Sequence, residues 1–461
     1  RDGAHLFSLP FITSLFTLGV VIGIIRTEFV IEKKVFTCSS CQIAGTLVTT
    51  PEIKDDRQTF TISREGEKSE YAISVTSTLY PRYKIGDTLT LNGKVREVEA
   101  TLPHGEQKNN VSNFDYSSYL HAKGVGSEMY YPKIEIIESD VGGLEIKFGR
   151  LKEMFVEKIK HNISSPASEI ATGMLFGVTS MSSELTQIFR TSGLSHILVL
   201  SGFNIVIMIA MILFVTSFLP LLVRVMVSAF FVVTFVLMVG ASPSVVRASI
   251  MALIALFALS LGRSYVARQA LLISLLVIVM YDPSLFLHDV SLHLSFLATA
   301  GLVYGTEIVD TLLQRVAFFT SKKYVRELFG TSFVAYVSTL PYVMYTFGSV
   351  SPYALMSNII VVPFVPFAML VSFLSMVCSF FSETFSMLFG FMSTCLIDVI
   401  IAVATFVKDL PFSTIRFSLT FTEMIVTYFL IGLAVKYLQV SHSDETPDRD
   451  ENGNLIAIIS Y

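Results

Sequence analysis

Three polar residues and a glycine interrupt an apolar run that starts in the stretch FRTSGLSHILVLSGFNI: His196, Ser201, Gly202 and Asn204. A histidine near a serine could act as base and nucleophile, so an intramembrane hydrolase is one interpretation. On one regular helix, however, residues five apart lie about 140° apart, which prevents direct contact between His196 and Ser201. The same geometry places His196, Ser201 and Asn204 on one arc. This polar stripe predicts either helix–helix contacts or the lining of a wet cavity.

A second candidate is Arg247, which lies in GASPSVVRASIM four residues after Pro243. Its long side chain could reach the nearby membrane interface while its stem stays in the apolar phase. Alternatively, the guanidinium faces inward and meets phosphate groups that pass it. The sequence leaves both interpretations open.

Two further sites combine polar residues with breaks in apolar runs. Asp289 and His293 are four residues apart and face each other along one helical turn, although Asp289 also fits a helix N-cap. Asn358 precedes Pro363 and Pro366, and this interruption predicts either a discontinuous helix at a binding site or a simple proline kink. No third metal ligand accompanies Asp289 and His293, so we expect neither a metal nor another cofactor.

The elements that position these residues are mostly apolar helices. Hydrophobic residues make up 52% of the chain, charged residues only 15%, and the mean hydropathy is +0.64. Soluble domains carry about 25% charged residues, so the chain is predicted to be a mostly α, polytopic membrane protein. Beyond a first anchor, the predicted spans are residues 194–218, 225–240, 244–262, 269–281, 288–306, 328–347, 351–381, 385–407 and 419–438.

Two of the apolar runs have more than one interpretation. Residues 6–25 are long enough to cross a bilayer, and we assign residues 1–29 as an anchor, because no small-residue cleavage site follows that would indicate a signal peptide. Residues 351–381 are too long for one straight helix and contain both prolines. They could cross the membrane once at an angle, or enter it and return as two half-helices.

Residues 30–141 differ from the rest in being rich in short β-type runs. QIAGTLVTT, TFTISR, YAISVTS, DTLTLNGKVREVEA and YYPKIEII are separated by Gly- and Asn-containing turns, which predicts a small OB-like β-barrel domain. OB-folds often bind single strands on a basic face, but residues 27–140 hold 13 Lys and Arg against 17 Asp and Glu. A structural role is therefore at least as compatible with the charge. Cys38 and Cys41 in this domain are either a local disulfide or two free thiols.

The remaining segments set the topology. Residues 144–160 repeat apolar residues with helical spacing, which predicts an amphipathic helix (segment 142–165) that lies in the membrane interface or packs on the β domain. Residues 166–440 form the polytopic domain, and 441–461 form a polar, disordered tail. Basic residues in the loops then fall on the cytoplasmic side when the β domain is extracytoplasmic, as the positive-inside rule requires. They are Arg224, Arg263, Arg268, Arg315, Lys322, Lys323 and Arg326.

Four blocks in this order resemble the ComEC competence-protein family, which is associated with DNA uptake in natural transformation. They are LFGVTSMSSELTQIFRTSGLSHILVLSGFNI, GASPSVVRASIMALIALFALSLGR, DPSLFLHDVSLHLSFLATAGL and the run from TLP to NIIVVPFVPF. The first is close to the family's GLSHLLAISGLHV segment. Two departures stand out: Asn204 replaces the usual histidine, and SLHLSF replaces the usual GFQLSF. Roles that the family assigns to those side chains are in doubt here.

The resemblance implies a channel subunit, not an enzyme, that passes single-stranded DNA across the cytoplasmic membrane. Such a strand carries one charge per nucleotide and needs a wet, hydrogen-bonding path. The candidate lining residues are His196, Ser201, Gly202, Asn204, Arg247, His293 and Asn358. A permease or lipid-handling protein of the same fold is the alternative, with the hydrolase as a third.

The resemblance also implies partners other than DNA and membrane lipids. Many family members carry a metallo-β-lactamase-like domain, but these residues contain no H-x-H-x-D-H cluster, so we expect any nuclease to be a separate protein. There is no Walker A motif either, which points to a separate ATPase or pulling factor, or to the membrane potential. A separate DNA receptor completes the expected machinery. Assembly as a homo-oligomer is left open.

Overall fold

A computed structural model describes residues 34–54, 56–64, 71–98, 115–138, 143–178, 180–198, 200–316 and 322–443. The predicted anchor, residues 6–25, lies outside these ranges, as does most of the predicted tail. By its contacts the chain forms two compact units, which are described separately below. The first contains the β domain, the helices up to Ser295 and residues 351–415. The second contains Phe296–Val350 and the segment from Arg416 onward.

The β domain is a closed barrel, as the alternating runs predicted. Its strands are β1 (Cys38–Leu47), β2 (Glu52–Lys54), β3 (Arg57–Arg64), β4 (Ala72–Thr78), β5 (Thr88–Glu97), β6 (Val125–Tyr130) and β7 (Lys133–Glu138). Pairing follows β1–β3–β4–β6–β5 and returns to β1, while β2 and β7 extend the sheet from β3 and β5. Among the described strand pairs of the barrel, only β4 and β6 run parallel to each other. This ring of five strands is OB-like, and a helix, α1 (Tyr116–Ala122), connects β5 to β6.

Alternation along the strands gives the barrel its core. In β3, for example, Phe60 and Ile62 point inward and are at most 1% exposed, while Thr59 and Thr61, which alternate with them, are half-buried. Ile73, Leu89 and Leu91 complete the centre of this cluster. A period of two therefore decides which side chains leave water, as expected for a sheet with one buried face.

Seven helices follow the barrel between Leu144 and Ser260. They are α2 (Leu144–Asn162), α3 (Ala167–Phe176), α4 (Ser183–Thr191), α5 (Ser195–Leu198), α6 (Gly202–Val215), α7 (Leu221–Val239) and α8 (Pro243–Ser260). The predicted span 194–218 is wrong as a continuous helix, because the backbone at Ser201 is extended and separates α5 from α6. The other two predicted spans in this part are confirmed as helices α7 and α8.

The rest of the chain continues the helical pattern. Its helices are α9 (Ala267–Tyr281), α10 (Pro283–His288), α11 (Val290–Gln314), α12 (Lys323–Phe347), α13 (Ala354–Val361), α14 (Val365–Cys378), α15 (Glu383–Lys408) and α16 (Phe421–Ser443); β8 (Ser349–Val350) and β9 (Ile415–Arg416) are two-residue strands. In the described residues, α7, α8, α11, α15 and most of α16 are long and apolar enough to span a membrane. The fold is therefore mostly α and polytopic. Helix α12 contains the predicted span 328–347 but is not among these five.

The helices α13 and α14 form one broken span. They meet at an angle of 49° around the segment that contains Pro363. At one end the Tyr353 hydroxyl donates to the carbonyl of Pro411, beyond the end of α15. Further along, Ser372 and Ser393 share a hydrogen bond of 2.7 Å. The pair thus runs antiparallel to α15 along its length, whereas a segment that entered and returned would bring both its ends to the same end of α15.

Helix α2 connects the barrel to the membrane helices. In its first half, a methyl group on Gly149 would lie 2.6 Å from Ile85 of the barrel, so the two are in close contact. In its second half, Ile159 is fully buried in the core that α3, α4, α6, α7, α8, α14 and α15 share. The Lys152 ammonium donates to the carbonyl of Val239 at 3.5 Å, and Lys158 to the Ser379 hydroxyl at 3.3 Å. The predicted amphipathic helix is confirmed, and it packs on both the β domain and the helices.

The second unit is held by contacts between α11, α12 and α16. A methyl group on Gly301 would lie 2.6 Å from the Cβ of Ser338, so α11 and α12 approach closely there. The Tyr428 hydroxyl of α16 donates to the carbonyl of Ser338 at 3.0 Å. Near the opposite end of the α11–α12 pair, Arg326 and Asp310 form an ion pair of 2.6 Å. It borders a cavity of about 390 Å³ that is lined by Leu302, Val303, Thr306, Glu307, Asp310, Arg326, Glu327 and Gly330.

Candidate functional site

The turn after α4 is pressed against the first residue of α13. Gly193 has a φ of 75°, in the left-handed region, and a methyl group at this position would collide with Ala354. Asn358 follows Ala354 by one turn and therefore lies on the same face of α13. Its side-chain oxygen is buried and accepts no hydrogen bond from any described residue. The first and fourth sequence blocks thus meet at Gly193, with a polar atom that has no partner close by.

His196 lies on the other side of this turn. It is the second residue of α5, its side chain is exposed, and it is hydrogen-bonded to the backbone of Gly193. His196 and Asn358 each lie within about one helical turn of the Gly193–Ala354 contact. The structure therefore brings these two predicted site residues into one neighbourhood.

Ser201 and Asn204 have a different role from His196. The Ser201 hydroxyl donates to Asn204 Oδ1 at 3.2 Å, and Asn204 Nδ2 donates to the carbonyl of Met174 in α3 at 3.0 Å. Asn204 is only 2% exposed. The stripe on one helix was wrong, because α5 and α6 are separate helices, and the hydrogen bonds match the interpretation of polar contacts between helices. The Ser201 hydroxyl is directed to an amide oxygen, an arrangement that does not make it a nucleophile.

Arg247 joins three helices in the interior of the first unit. Its Nε donates to Ser295 Oγ of α11 at 2.9 Å, and Nη1 lies 3.3 Å from Met251 Sδ. A methyl group on Gly202 would lie 2.9 Å from Nη2, so α6 passes directly beside the guanidinium. Arg247 is only 6% exposed and its guanidinium is bonded to Ser295, so its contacts match the inward-facing interpretation.

Asp289 and His293 do not join this group. Asp289 Oδ1 accepts the backbone N–H of Leu292 at 2.8 Å and the Ser291 hydroxyl, which confirms the helix N-cap. The His293 Nε2 lies 2.6 Å from the carbonyl of Phe286, and the two rings stack edge to face. His293 thus connects α11 to α10. In the described ranges, no group of three His, Cys, Asp or Glu side chains has the geometry of a metal site.

Direct contacts link all four sequence blocks inside the first unit. Block four touches block one at Gly193; block one touches block two where Gly202 meets Arg247; and block two touches block three where Arg247 meets Ser295. Sequence reasoning missed Ser295, which lies two residues after His293 in an apolar helix. A lone serine in such a helix is so common that its position alone gave no signal.

Sequence reasoning also missed the polar face of α4. Its residues Ser183, Glu184, Thr186, Gln187 and Arg190 are exposed, and Ser195 and His196 continue the exposed surface on α5. On the opposite face, Leu185 and Phe189 are buried in the helical core. The helical spacing of apolar and polar residues in 183–190 is an amphipathic pattern that could have indicated this face.

Cys38 and Cys41 are free thiols in the structure, so the predicted disulfide is not formed there. A bulge in β1 pairs Cys38 with Val95 and Cys41 with Gly93, so that both cysteines lie on the same side of the strand. The Cys41 thiol donates to the carbonyl of Gly93 at 3.7 Å. Burial, with a smaller contribution from the hydrogen bond to Cys38, raises the pKa of Cys41 to about 11. The disulfide stays a prediction for an oxidising environment.

Comparisons with known proteins connect this arrangement to one family. The sequence profile of a family described as "Competence protein" matches residues 174–441, which include all four blocks. The chain is also similar to "ComE operon protein 3" of Bacillus subtilis (strain 168), with 22% identity over 336 residues. That match covers 70% of this chain but only 39% of the relative, so the chain spans about two fifths of its length. No solved structure matches the chain.

Proposed function

The chain belongs to the competence protein family, and we propose that it forms part of a membrane path through which single-stranded DNA is taken up during natural transformation. The observation that carries the proposal is the convergence of the four blocks. Segments separated by more than 150 residues in sequence meet through Gly193, Gly202, Arg247 and Ser295. Because simple helix packing does not require a buried arginine that is bonded to a serine of another helix, this convergence supports a shared role for the blocks.

The polar groups at these junctions suit a polyanion in different ways. His196 is exposed and can exchange hydrogen bonds with a strand that passes it. The Asn358 side-chain oxygen is buried and is an acceptor, so it suits a base N–H donor and not a phosphate. Arg247 is only 6% exposed and is held by Ser295. Its role in the proposal is to place a positive charge behind the wall of the path, where low dielectric makes it act over a longer range. Ser201, Gly202 and Asn204 then support the wall, and His293 fixes α11.

The contacts of α2 support the proposed orientation. Because Lys152 bonds to Val239, the C-terminal end of α7 lies beside the β domain. Arg224 near the start of α7, Arg263 after α8 and Arg268 at the start of α9 then lie at the opposite end. With the β domain outside, all three are cytoplasmic, as the positive-inside rule requires for a protein of the cytoplasmic membrane. We assign the energy source and any nuclease to other components, or to chain segments beyond these residues.

DNA uptake by a competent host that lacks its own copy of the gene tests the proposal. We expect Arg247→Gln and Asn358→Ala to reduce internalised DNA at least tenfold, while labelled DNA still accumulates outside the cell. The matched control is Arg268→Gln, which removes a positive charge from an exposed position outside the site. Membrane levels of each variant are measured alongside. Wild-type uptake by both site variants, or by the deletion host itself, would contradict the proposal.

A further inference from the structure

Helix α4 has a polar face of the kind found on soluble proteins. Ser183, Gln187 and Arg190 are spaced by four and three residues, so they form one line along the helix, and all three are exposed. Thr186 and Glu184 flank this line. Among the described residues, Arg190 forms no ion pair.

The opposite face shows that α4 belongs to the membrane helices. Leu185 is 4% and Phe189 0% exposed, and both share the core with α7, α8, α14 and α15. Helix α4 also packs against α15, which is long and apolar enough to span a membrane. Exposing Glu184, Gln187 and Arg190 to hydrocarbon would be strongly unfavourable, and this supports aqueous surroundings for the face.

The polar face leads directly to the site. Immediately after Thr191, the turn at Gly193 contacts Ala354, and the exposed surface continues through Ser195 to His196. Asn358 lies one turn beyond Ala354 on the same face of α13. A strand that follows α4 from Ser183 to Arg190 would therefore reach His196 and Asn358 next.

We propose that the polar face of α4 is the wall along which the phosphodiester backbone of the strand moves, with Arg190 as its phosphate contact. This inference rests on the proposed function. A guanidinium forms strong, charge-assisted hydrogen bonds with phosphate oxygens, and the Gln187 amide adds a neutral donor. Sparse charge suits a path, because the strand must leave each contact as readily as it forms it. The negative charge of Glu184, at the other end of the face, repels the phosphates of the strand.

Binding of a fluorescent oligothymidine to the full chain in lipid nanodiscs tests this assignment. Single-strand binding falls with salt by about 0.7 in log–log slope for each phosphate contact. We expect Arg190→Gln to lower the slope by about that amount and to weaken binding severalfold at low salt. Glu184→Gln, on the same face, is expected to strengthen binding, and Arg268→Gln to leave it unchanged. A role for Arg190 only at the helix C-terminus would change the thermal stability of the protein but not the salt slope.

A second measurement tests whether the face is wet. In a chain whose four cysteines are replaced, Gln187→Cys should react with a water-soluble maleimide, and a strand held during uptake should slow the reaction. Phe230→Cys is the lipid-facing control, because Phe230 is 74% exposed on the apolar helix α7. If Gln187→Cys reacts no faster than Phe230→Cys, the inference is overturned.

The outcomes separate this inference from the function on which it rests. If Arg190→Gln blocks uptake but leaves the salt slope of DNA binding unchanged, the face contacts a partner protein, and the inference is wrong while the proposed function stands. If Arg190→Gln changes neither DNA binding nor uptake while Arg247→Gln still blocks uptake, the inference is again wrong and the proposed function stands. If the unmodified chain neither binds nor imports DNA, the proposed function itself fails.

Discussion

The β-barrel and the helical core of the first unit both bury large apolar side chains, such as Phe60 and Phe189, but they differ in what their outer surfaces expose. In the barrel, large apolar side chains such as Phe60 and Leu91 fill the interior. In the helical core, by contrast, Ser372, Ser375 and Ser393 are fully buried, while Phe230 on α7 is 74% exposed. Water drives apolar groups inward in the first case. Lipid removes that driving force in the second, so the helices associate through close contacts and hydrogen bonds between them.

The same residue type therefore has different surroundings in the two regions. A phenylalanine lies in the interior of the barrel but frequently on the outer surface of the helices. Buried hydroxyl groups occur in both: Ser127 is enclosed in the barrel, and Ser372 and Ser393 join α14 to α15. Helix α4 is the exception among the helices, because it exposes polar residues as the barrel does.

The largest expected effect comes from making the same substitution in both regions. Phe60→Ala removes a ring that is 1% exposed at the barrel centre and packs against Tyr83, with ring centroids 5.4 Å apart. We expect it to destabilise the barrel by about 3–5 kcal/mol, as other buried phenylalanine truncations do. Hydrogen exchange of β3 to β5 in the full chain would report the loss of protection.

The matched substitution is Phe230→Ala on α7. Its ring faces the lipid phase, and in that phase the loss of contact area has little effect on folding, so thermal unfolding in nanodiscs should change by less than about 1 kcal/mol. Equal destabilisation by the two substitutions would remove the basis of the comparison.

The second prediction concerns two glycines with positive φ. Gly193→Ala introduces a methyl group that collides with Ala354, whereas Gly262, with a φ of 63° close to the 75° of Gly193, has no atom near that position. Both substitutions strain the backbone similarly, so the difference between them isolates the close approach of the α4–α5 turn to α13. We expect Gly193→Ala to be more destabilising by about 1–3 kcal/mol in thermal unfolding of the full chain. Equal melting temperatures would mean that the two segments can separate without loss.

Much of the fold could be predicted because periodicity depends on local sequence. The alternation in TFTISR and the helical repeat of residues 144–160 specified β3 and α2. The break at Ser201 could be predicted only as an alternative, because Gly193 and Gly202 permit either a close backbone approach or a break in the helix and the local sequence does not decide between them. The contacts of the site could not be predicted from the sequence either. That Gly193 meets Ala354 depends on tertiary packing between segments that are far apart in sequence, and the ordered blocks indicated only that such contacts matter.

A smaller effect is expected at the N-cap of α1 in the barrel. Asp115 accepts hydrogen bonds from the backbone and hydroxyl groups of Ser117 and Ser118. The bond from the Ser118 hydroxyl is the main cause that lowers the pKa of this carboxyl. Asp115→Ala should destabilise α1 by about 1 kcal/mol at neutral pH, measured by hydrogen exchange of residues 116–122. Because the folded pKa lies below the unfolded one, the contribution is complete above about pH 4 and is lost as the pH falls through the folded pKa. A difference between the two proteins that persisted in acid would exclude the ionised cap.

The smallest effect is expected where the helical core replaces apolar packing with hydrogen bonds. The hydroxyls of Ser375 and Ser386 each donate to the other residue's carbonyl at 2.9 Å, which joins α14 to α15. Because polar contacts between membrane helices are worth about 0.6 kcal/mol on average, Ser375→Ala and Ser386→Ala should each have a modest effect on thermal unfolding in nanodiscs. The double variant should lose less than the sum, since the first loss lets the helices separate slightly and weakens the second bond. Ser264→Ala at an exposed loop position is the control and should have no effect. If a serine variant lost as much unfolding free energy as Phe60→Ala, hydrogen bonds and not close packing would dominate the association of these helices. The barrel and the helices would then differ only in the type of interaction that holds them together.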